Sequence, residues 1–216
     1  MDRERGKFVV FEGVGGSGKG TQIGIAKDLL IRNGLEIITT REPGGIEASE
    51  VIRKLIFTLK QEKLIDAGEQ MVLFFAARKF WVDGVVAPNI EQGIHILSDR
   101  GYTSTQAYQG YGEGGNARRI LAVSDVVMGS YKPDAVLLFD ISAETSMKRR
   151  VETDGDPFDR EKKDYFERVA AGYRTMAQVG WGGLNWYVVN GEPKPEIVSE
   201  SVAKVLEAIF EKKLQR

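Results

Sequence analysis

The clearest chemical signal in the sequence is a glycine-rich segment that follows an apolar run near the N-terminus. The segment reads Gly13-Val14-Gly15-Gly16-Ser17-Gly18-Lys19-Gly20-Thr21, which nearly matches the phosphate-loop pattern G-x-x-x-x-G-K-[ST]. Polyphosphate needs several inward-pointing backbone N–H groups, and residues without a Cβ let the chain wrap that tightly. A helix that begins near Lys19 presents its positive end to the same anion. The segment therefore predicts a nucleotide-binding loop, against the alternative of a glycine-rich turn without a ligand.

One position of this loop departs from the pattern. Gly20 stands where the pattern has a hydroxyl that binds magnesium, and Thr21 follows it. Two interpretations stay open at this point. Either Thr21 supplies the hydroxyl, or Mg²⁺ is held mostly through water and substrate oxygens, which this ion tolerates.

Charged side chains also follow the second and third predicted strands. Strand two ends in Arg41-Glu42-Pro43-Gly44-Gly45, and strand three ends in Asp99-Arg100. Open α/β folds bind ligands at the carboxyl edge of the sheet, where both groups would lie. Asp99 can hold Mg²⁺ directly or through water, and the planar guanidinium of Arg100 can bind a phosphate. The two strand ends therefore predict the acceptor side of a phosphoryl-transfer site.

A third candidate cluster lies on a predicted helix. Phe74 and Arg78 are four residues apart, so they share a helix face. An aromatic ring with a guanidinium one turn away can stack on a base and hydrogen-bond to its edge. The alternative is that Phe74 belongs to the core, because it sits in a run of apolar residues at helical spacing.

Alternating strand and helix patterns must position these groups. Five short apolar runs predict buried strands: Phe8–Phe11, Ile37–Thr40, Ile94–Ser98, Ala135–Phe139 and Tyr187–Val189. Runs without alternation favour a parallel sheet that is covered on both faces. Six helices are predicted between and after them: Lys19–Arg32, Ile46–Leu59, one from the Asp66/Glu69 capping box to about Val86, two within 116–129 and 160–179, and Glu196–Lys213. The order indicates βαβ units in an α/β fold.

Composition excludes several other kinds of chemistry. The chain has 216 residues, no cysteine and one histidine, so thiolate nucleophiles, zinc–thiolate sites and histidine triads are not expected. His95 lies inside strand three, which indicates a structural role. The formal net charge of −1 argues against a nucleic-acid partner. No signal peptide and no apolar run of about 20 residues is present, which predicts a soluble, cytoplasmic chain without a membrane partner.

Together these motifs resemble thymidylate kinase. The resemblance rests on Phe11-Glu12-Gly13 and the phosphate loop, Thr40–Gly45, Leu73–Arg78, Asp99-Arg100 and Ser104–Gln109. It implies a three-layer P-loop kinase fold, formed as one domain with a five-stranded parallel sheet flanked by helices. It also implies transfer of phosphate from ATP to dTMP with Mg²⁺ as cofactor, dTDP as product, and a homodimer.

The resemblance further implies roles for individual residues. Thymine would stack on Phe74 and bond to Arg78, and Arg41 with Arg100 would bind the dTMP phosphate. Asp99 and Glu42 would organise the magnesium and its waters. The implied dTMP-binding set is Arg41, Glu42, Pro43, Phe74, Arg78, Arg100, Ser104, Thr105, Gln106 and Tyr108, and the ATP-binding set is residues 13–21. The loop Asn190–Pro193 would border the adenine.

Two departures from the family bear on this assignment. Many members carry an acidic residue at the position of Gly15, where it meets the 3′-hydroxyl of the acceptor. Gly16 resembles the bacterial branch, which supplies arginines from a mobile lid, here at about 149–163. The implied catalytic set is Lys19, Asp99, Arg100, Arg149 and Arg160, although for any one lid arginine a solvated charged loop is an equal alternative. Two alternative functions also stay open: another P-loop nucleoside monophosphate or deoxynucleoside kinase, and a non-catalytic ATP-binding module.

Overall fold

A five-stranded parallel sheet forms the centre of the molecule. The computed structural model describes residues 4–150, 158 and 161–215. The strands are β1 (Phe8–Glu12), β2 (Ile37–Arg41), β3 (His95–Asp99), β4 (Ala135–Asp140) and β5 (Trp186–Asn190). Their order across the sheet is β2-β3-β1-β4-β5. All five predicted strands are confirmed, as is the parallel arrangement.

The strand register brings the chemically interesting strand ends together. Asp99 at the end of β3 pairs with Phe11 of β1 on one side and with Arg41 of β2 on the other. The phosphate loop, the end of β2 and the end of β3 therefore meet at one edge of the sheet. The expectation of full cover on both faces is wrong for the two outer strands. β2 and β5 have exposed residues because an edge strand has a neighbour on one side only.

Helices cover both faces of the sheet. They are α1 (Lys19–Arg32), α2 (Glu47–Gln61), α3 (Ala67–Trp81), α4 (Ala87–Glu91), α5 (Tyr102–Thr105), α6 (Ala117–Met128), α7 (Ala143–Arg149), α8 (Lys163–Val179) and α9 (Pro195–Ile209). α1 and α9 share one apolar cluster with β1, β4 and β5. Two other clusters pack α3, α6 and α8 against the sheet from strands β1, β3 and β4. The fold is a three-layer α/β arrangement, as predicted.

The predicted helix from Asp66 to Val86 is interrupted. The Asp66/Glu69 capping box is confirmed, with Asp66 N donating to Glu69 Oε2 at 2.9 Å. However, α3 ends at Trp81 and a π-helical turn, Val82–Val86, follows it. Pro88 lacks an N–H and cannot bond to the carbonyl four residues earlier. The Ala87 N–H instead bonds to the Val82 carbonyl, which produces the wider turn.

Other boundaries differ by a few residues. The C-terminal helix ends at Ile209 rather than Lys213, and α8 begins at Lys163. The sequence patterns missed α5, the π-helical segment Gln106–Gly112 that continues it, and the short α7.

His95 has a structural contact, because its Nδ1 accepts a hydrogen bond from Lys7 N at 2.8 Å. Burial lowers the pKa of this imidazole, so it accepts in its neutral form.

No helix within residues 4–150 and 161–215 is long and apolar enough to cross a membrane.

Candidate active site

The phosphate loop depends on glycine at three positions with left-handed backbone. The φ angles of Gly13, Gly16 and Gly18 are 146°, 75° and 86°. A Cβ on Gly13 would also lie 2.7 Å from the carbonyl oxygen of Phe139. Gly18 is the residue before α1, so the loop leads directly into the N-terminus of that helix. A loop that leads into a helix N-terminus in this way is the arrangement that a backbone cradle for phosphate groups requires.

Lys19 connects this loop to the neighbouring strand. The residue is buried, and its Nζ lies 3.5 Å from the Val14 carbonyl and 4.0 Å from Asp99 Oδ1. The ammonium therefore lies between the phosphate loop and the end of β3. A cation at this point can neutralise charge on a phosphoryl group that moves between the two.

The first of two cavities at this sheet edge, which we call the loop cavity, has a volume of about 340 Å³. Gly16, Ser17, Gly18 and Thr21 line it together with Arg149 and residues 191–195. Arg149 donates from Nη1 to the Gly191 carbonyl at 2.7 Å and from Nη2 to the Glu192 carbonyl at 2.5 Å. The cavity thus combines the phosphate loop with the segment after β5.

The second cavity, which we call the edge cavity, lies beyond β3 and β2 and has a volume of about 200 Å³. Ten residues expected on the acceptor side line it: Arg41, Glu42, Pro43, Phe74, Arg78, Asp99, Arg100, Ser104, Thr105 and Tyr108. Gln106 is the exception, since it is buried on the π-helical segment and is not part of the lining that the described residues form. The structure therefore brings the end of β2, the end of β3 and the Phe74/Arg78 pair into one cavity.

Arg100 lies where the edge cavity meets the phosphate loop. Its Nη1 donates to the Gly13 carbonyl and to Ser104 Oγ, both at 3.2 Å, and its Nη2 donates to Tyr108 Oη at 3.0 Å. The guanidinium also lies 4.8 Å from the centre of the Tyr108 ring. The backbone of Arg100 is left-handed, with φ at 73°, which is rare for a residue with a Cβ. This conformation turns the side chain toward the loop.

A buried ion pair lies elsewhere in the edge cavity. Arg78 Nε donates to Glu42 Oε1 at 2.6 Å, and Arg78 Nη2 donates to Thr105 Oγ1 at 3.1 Å. Among the described residues, Arg78 Nη1 and Glu42 Oε2 are buried without a hydrogen-bond partner. Such groups are costly to bury unless a ligand completes them. A planar group with donors and acceptors along one edge would fit this requirement.

Burial makes the Glu42 carboxyl a weaker acid than usual. The loss of hydration raises the pKa of this carboxyl to about 7, and the charge and hydrogen bond of Arg78 offset that effect only in part. The carboxyl therefore retains its proton to a higher pH than an exposed glutamate does. A group of this kind is a weak candidate for holding a metal ion.

Phe74 belongs to the core and also lines the edge cavity. Its ring lines the edge cavity and belongs to an apolar cluster that includes Tyr165 and Val169. The Phe158 ring lies beside it, with 6.1 Å between the ring centres. Phe74 and Phe158 therefore form an aromatic part of the edge cavity wall, and the Arg78–Glu42 pair lines the same cavity.

The three candidate magnesium residues do not lie together. Thr21 lines the loop cavity, whereas Glu42 and Asp99 line the edge cavity. Among the described residues, Asp99 Oδ1 has no hydrogen-bond donor, although it lies near Lys19. No group of three acidic, histidine or cysteine residues that could hold a metal occurs in residues 4–150, 158 and 161–215. Of the two carboxylates, Asp99 is the one that lies near Lys19 of the phosphate loop.

Sequence reasoning missed several lining residues. Arg53, Phe57 and Phe158 line the edge cavity but were not expected there. Arg53 and Phe57 are four residues apart on α2, and the guanidinium lies 4.2 Å from the ring centre. The same spacing had identified Phe74 and Arg78, so that signal was available. For Phe158 the sequence carried no comparable signal.

The expected lid falls largely on residues outside the described part of the chain, and Arg160 lies there. The described lid arginine Arg149 contacts the Gly191 and Glu192 carbonyls. Its neighbour Arg150 lies 3.7 Å from the centre of the Phe166 ring.

Comparison with known proteins agrees with this geometry. A family model described as thymidylate kinase matches residues 11–202. The thymidylate kinase of Hahella chejuensis is 35% identical over 206 residues, which cover 95% of this chain and 98% of that protein. The corresponding protein of Teredinibacter turnerae is 37% identical over 174 residues, covering 80% and 84%. That of Neisseria meningitidis serogroup B is 34% identical over 205 residues, covering 94% and 98%. On this evidence the chain belongs to the thymidylate kinase family.

Proposed function

We propose that the chain transfers the terminal phosphoryl group of ATP to dTMP and thereby forms dTDP for dTTP synthesis. The observation that carries this proposal is the position of Arg100. Its guanidinium bonds to the phosphate loop at Gly13 and also lines the edge cavity. A phosphate bound there would lie next to a phosphate held by the loop, which is the arrangement that direct transfer needs.

Phosphoryl transfer requires the protein mainly to position the two substrates and to neutralise the charge of their phosphates. An acceptor phosphate is already ionised at neutral pH, so no general base is required. Lys19 and Arg100 would neutralise charge on the transferring group and on the acceptor. These roles need no histidine. The single histidine of the chain, His95, lies in β3 and accepts a hydrogen bond from Lys7 N.

We assign thymine to the Arg78 side of the edge cavity. The unpartnered Arg78 Nη1 could donate to a carbonyl of the base, and Phe74 could stack on its face. Tyr108 would lie against the sugar, and Arg41 would assist Arg100 at the phosphate. Gln106 would support the π-helical segment that carries Tyr108, and would not contact the base directly.

For the cofactor we propose Mg²⁺, which would be held by Asp99 and by ATP oxygens, with Thr21 and Glu42 as the less favourable candidates. When bound, the ion would neutralise phosphate charge and help to align the two substrates. Asp99 Oδ1 lies 4.0 Å from Lys19 Nζ, so these two groups could share that task.

We further propose a single-domain, cytoplasmic homodimer with no nucleic-acid or membrane partner. Support for the dimer comes from exposed apolar side chains on three neighbouring helices: Val51 and Leu55 on α2, Val72 and Phe80 on α3, and Val126 on α6. Light scattering would test this. We expect Val126→Lys, at a residue 82% exposed, to favour the monomer. Val179→Lys on α8, at a residue 67% exposed, should leave the mass unchanged.

The function is tested by comparing acceptors. Phosphorylation rates would be measured with ATP and a panel of nucleosides and nucleoside monophosphates. We expect dTMP to have the highest kcat/KM. A higher value for another monophosphate or for a deoxynucleoside would instead assign the chain to a different P-loop kinase.

A further inference from the structure

Glu12 is a fully buried carboxylate that the proposed reaction does not use. It is the last residue of β1 and immediately precedes the phosphate loop. Its Oε1 accepts from Gly101 N at 2.9 Å and from Thr103 Oγ1 at 2.6 Å. Its Oε2 accepts from Ser104 Oγ at 2.7 Å and from Tyr173 Oη at 2.6 Å. These donors belong to α8 and to the segment that follows Arg100.

Burial of a carboxylate is costly unless several hydrogen bonds compensate for the lost water. The four donors of Glu12 are a backbone amide and three hydroxyls, which provide such compensation without a formal charge. Each donor is thereby held in one orientation. The carboxylate thus joins three parts of the molecule: the end of β1, the turn that leads into α5, and α8.

The turn that Glu12 holds is the one that presents Arg100. Arg100 has left-handed backbone, and Ser98 Oγ donates to its carbonyl at 2.7 Å. The next amide, Gly101 N, bonds to Glu12. Ser104 Oγ bonds to Glu12 Oε2 and also accepts from Arg100 Nη1. The carboxylate therefore constrains Arg100 through both its backbone and its guanidinium.

The same contacts set the distance between the two sides of the site. Arg100 Nη1 donates to the carbonyl of Gly13, the residue that follows Glu12. Glu12, Ser104, Arg100 and Gly13 thus form a closed chain of covalent and hydrogen bonds. Moving the start of the phosphate loop away from the arginine would therefore break hydrogen bonds of this chain.

We propose that Glu12 is a positioning residue that holds Arg100 at a fixed distance from the phosphate loop. It acts through Arg100 and Ser104 and does not touch either substrate. The inference rests on the proposed function, because it assigns the acceptor phosphate to Arg100. Its consequence is specific: loss of the carboxylate should affect phosphate-dependent binding and the transfer step, and should spare recognition of the base.

The test uses Glu12→Gln in the full chain, which keeps the shape and replaces an acceptor with an amide donor. We expect kcat to fall by about 10- to 100-fold, since a misplacement of about 1 Å can cost about 100-fold. Calorimetry should show weaker binding of dTMP, with binding of thymidine unchanged, because thymidine lacks the phosphate that Arg100 would bind. Ser124→Ala is the control, because it removes a buried hydrogen bond on α6 away from the site.

The outcomes separate the inference from the proposed function. If wild-type protein phosphorylates dTMP and folded Glu12→Gln keeps both kcat and dTMP affinity, the positioning role is overturned. Equal loss of thymidine and dTMP binding would overturn it too, since a general structural defect explains that result. Absence of dTMP phosphorylation in the wild type would instead contradict the proposed function.

A second variant covers the case in which Glu12→Gln does not fold. Tyr173→Phe removes one hydroxyl donor from Oε2 and leaves the ring in place. We expect a smaller effect in the same direction, with dTMP binding weakened relative to thymidine binding and kcat reduced by about 3- to 10-fold. Unchanged values for this variant would overturn the inference.

Discussion

The loop cavity takes its chemistry mainly from backbone, whereas the edge cavity takes its chemistry from side chains of several separate elements. In the loop cavity, Gly16 and Gly18, both with left-handed φ angles, form the cradle together with the start of α1. In the edge cavity, the ends of β2 and β3 meet residues of α2, α3 and α5. A backbone cradle is specified by a continuous stretch of sequence. A side-chain cavity is specified only by the fold that brings its parts together.

This difference predicts different responses to substitution. In the loop region, the buried cation Lys19 should act mainly on the transfer step. In the edge cavity the effects should appear mainly in acceptor affinity and in stability, because Arg78 and Glu42 are buried there and paired with each other. The following predictions test that contrast, from the largest expected effect to the smallest.

Lys19→Ala should have the largest effect. We expect kcat to fall by about 100- to 1000-fold, because a cation that neutralises charge in the transition state is removed. The affinity for dTMP should change by less than about threefold. Steady-state kinetics and calorimetry measure the two quantities, and Lys27→Ala on the same helix is the control. A near-normal kcat would remove Lys19 from the transfer step.

The free energy of unfolding should depend on pH through Glu42. Burial raises the pKa of this carboxyl from 4.5 to about 7, so the folded protein binds the proton more tightly than the unfolded chain does. The stabilisation from that proton is complete below about pH 4.5 and is lost as the pH rises through about 7.

Urea unfolding at several pH values would measure this contribution. Relative to Glu42→Gln, which cannot titrate, the wild type should lose roughly 3 kcal/mol across that interval. The variant also serves as the control for every other titrating group. Parallel pH profiles for the two proteins would contradict the assignment of a raised pKa to Glu42.

Arg78→Ala should mainly weaken binding of dTMP. We expect an increase in Kd of about 10- to 100-fold, because a hydrogen bond to a charged group contributes about 1.5–3 kcal/mol. The protein should also lose stability, since Glu42 would remain buried without its partner. Lys79→Ala is the control, because that side chain is exposed and pairs with Asp83. Unchanged dTMP affinity in calorimetry would rule out base recognition by Arg78.

Gly20→Ser should have the smallest effect, and in the favourable direction. A Cβ at Gly20 meets nothing within 4 Å, and its φ angle is not left-handed, so a side chain fits there. The serine would supply the hydroxyl that the loop pattern expects. We expect the KM for ATP with Mg²⁺ to fall by about two- to fivefold. A higher KM would show that the loop functions only without a side chain at this position.

The contrast between the two cavities also explains what could be predicted from sequence. The phosphate loop, all five strands and the Asp66 capping box follow local patterns, and the structure confirms the strands and the capping box. The partnership of Arg78 with Glu42 joins residues 36 positions apart, so no local pattern could reveal it. The place of Phe158 in the edge cavity and the hydrogen bonds of Glu12 were missed for the same reason, since both depend on contacts between distant segments.

Helix errors have a more local cause. The π-helical turn before Pro88 was included in one long predicted helix, whereas the π-helical segment Gln106–Gly112 was not predicted as a helix. Their wider turns arise from missing or displaced hydrogen bonds, which hydrophobic spacing does not report. The second of these segments carries Tyr108 and Gln109, so the missed feature lies at the edge cavity itself.

The central claim is that the loop cavity and the edge cavity bind the two substrates of one phosphoryl transfer. The most direct test is the rate of ADP release from ATP, measured by a coupled assay with and without dTMP. We predict a low rate with ATP alone and a large increase when dTMP is added, with one dTDP formed for each ADP. An ADP release rate that does not depend on dTMP would contradict the account and favour an ATP-binding module.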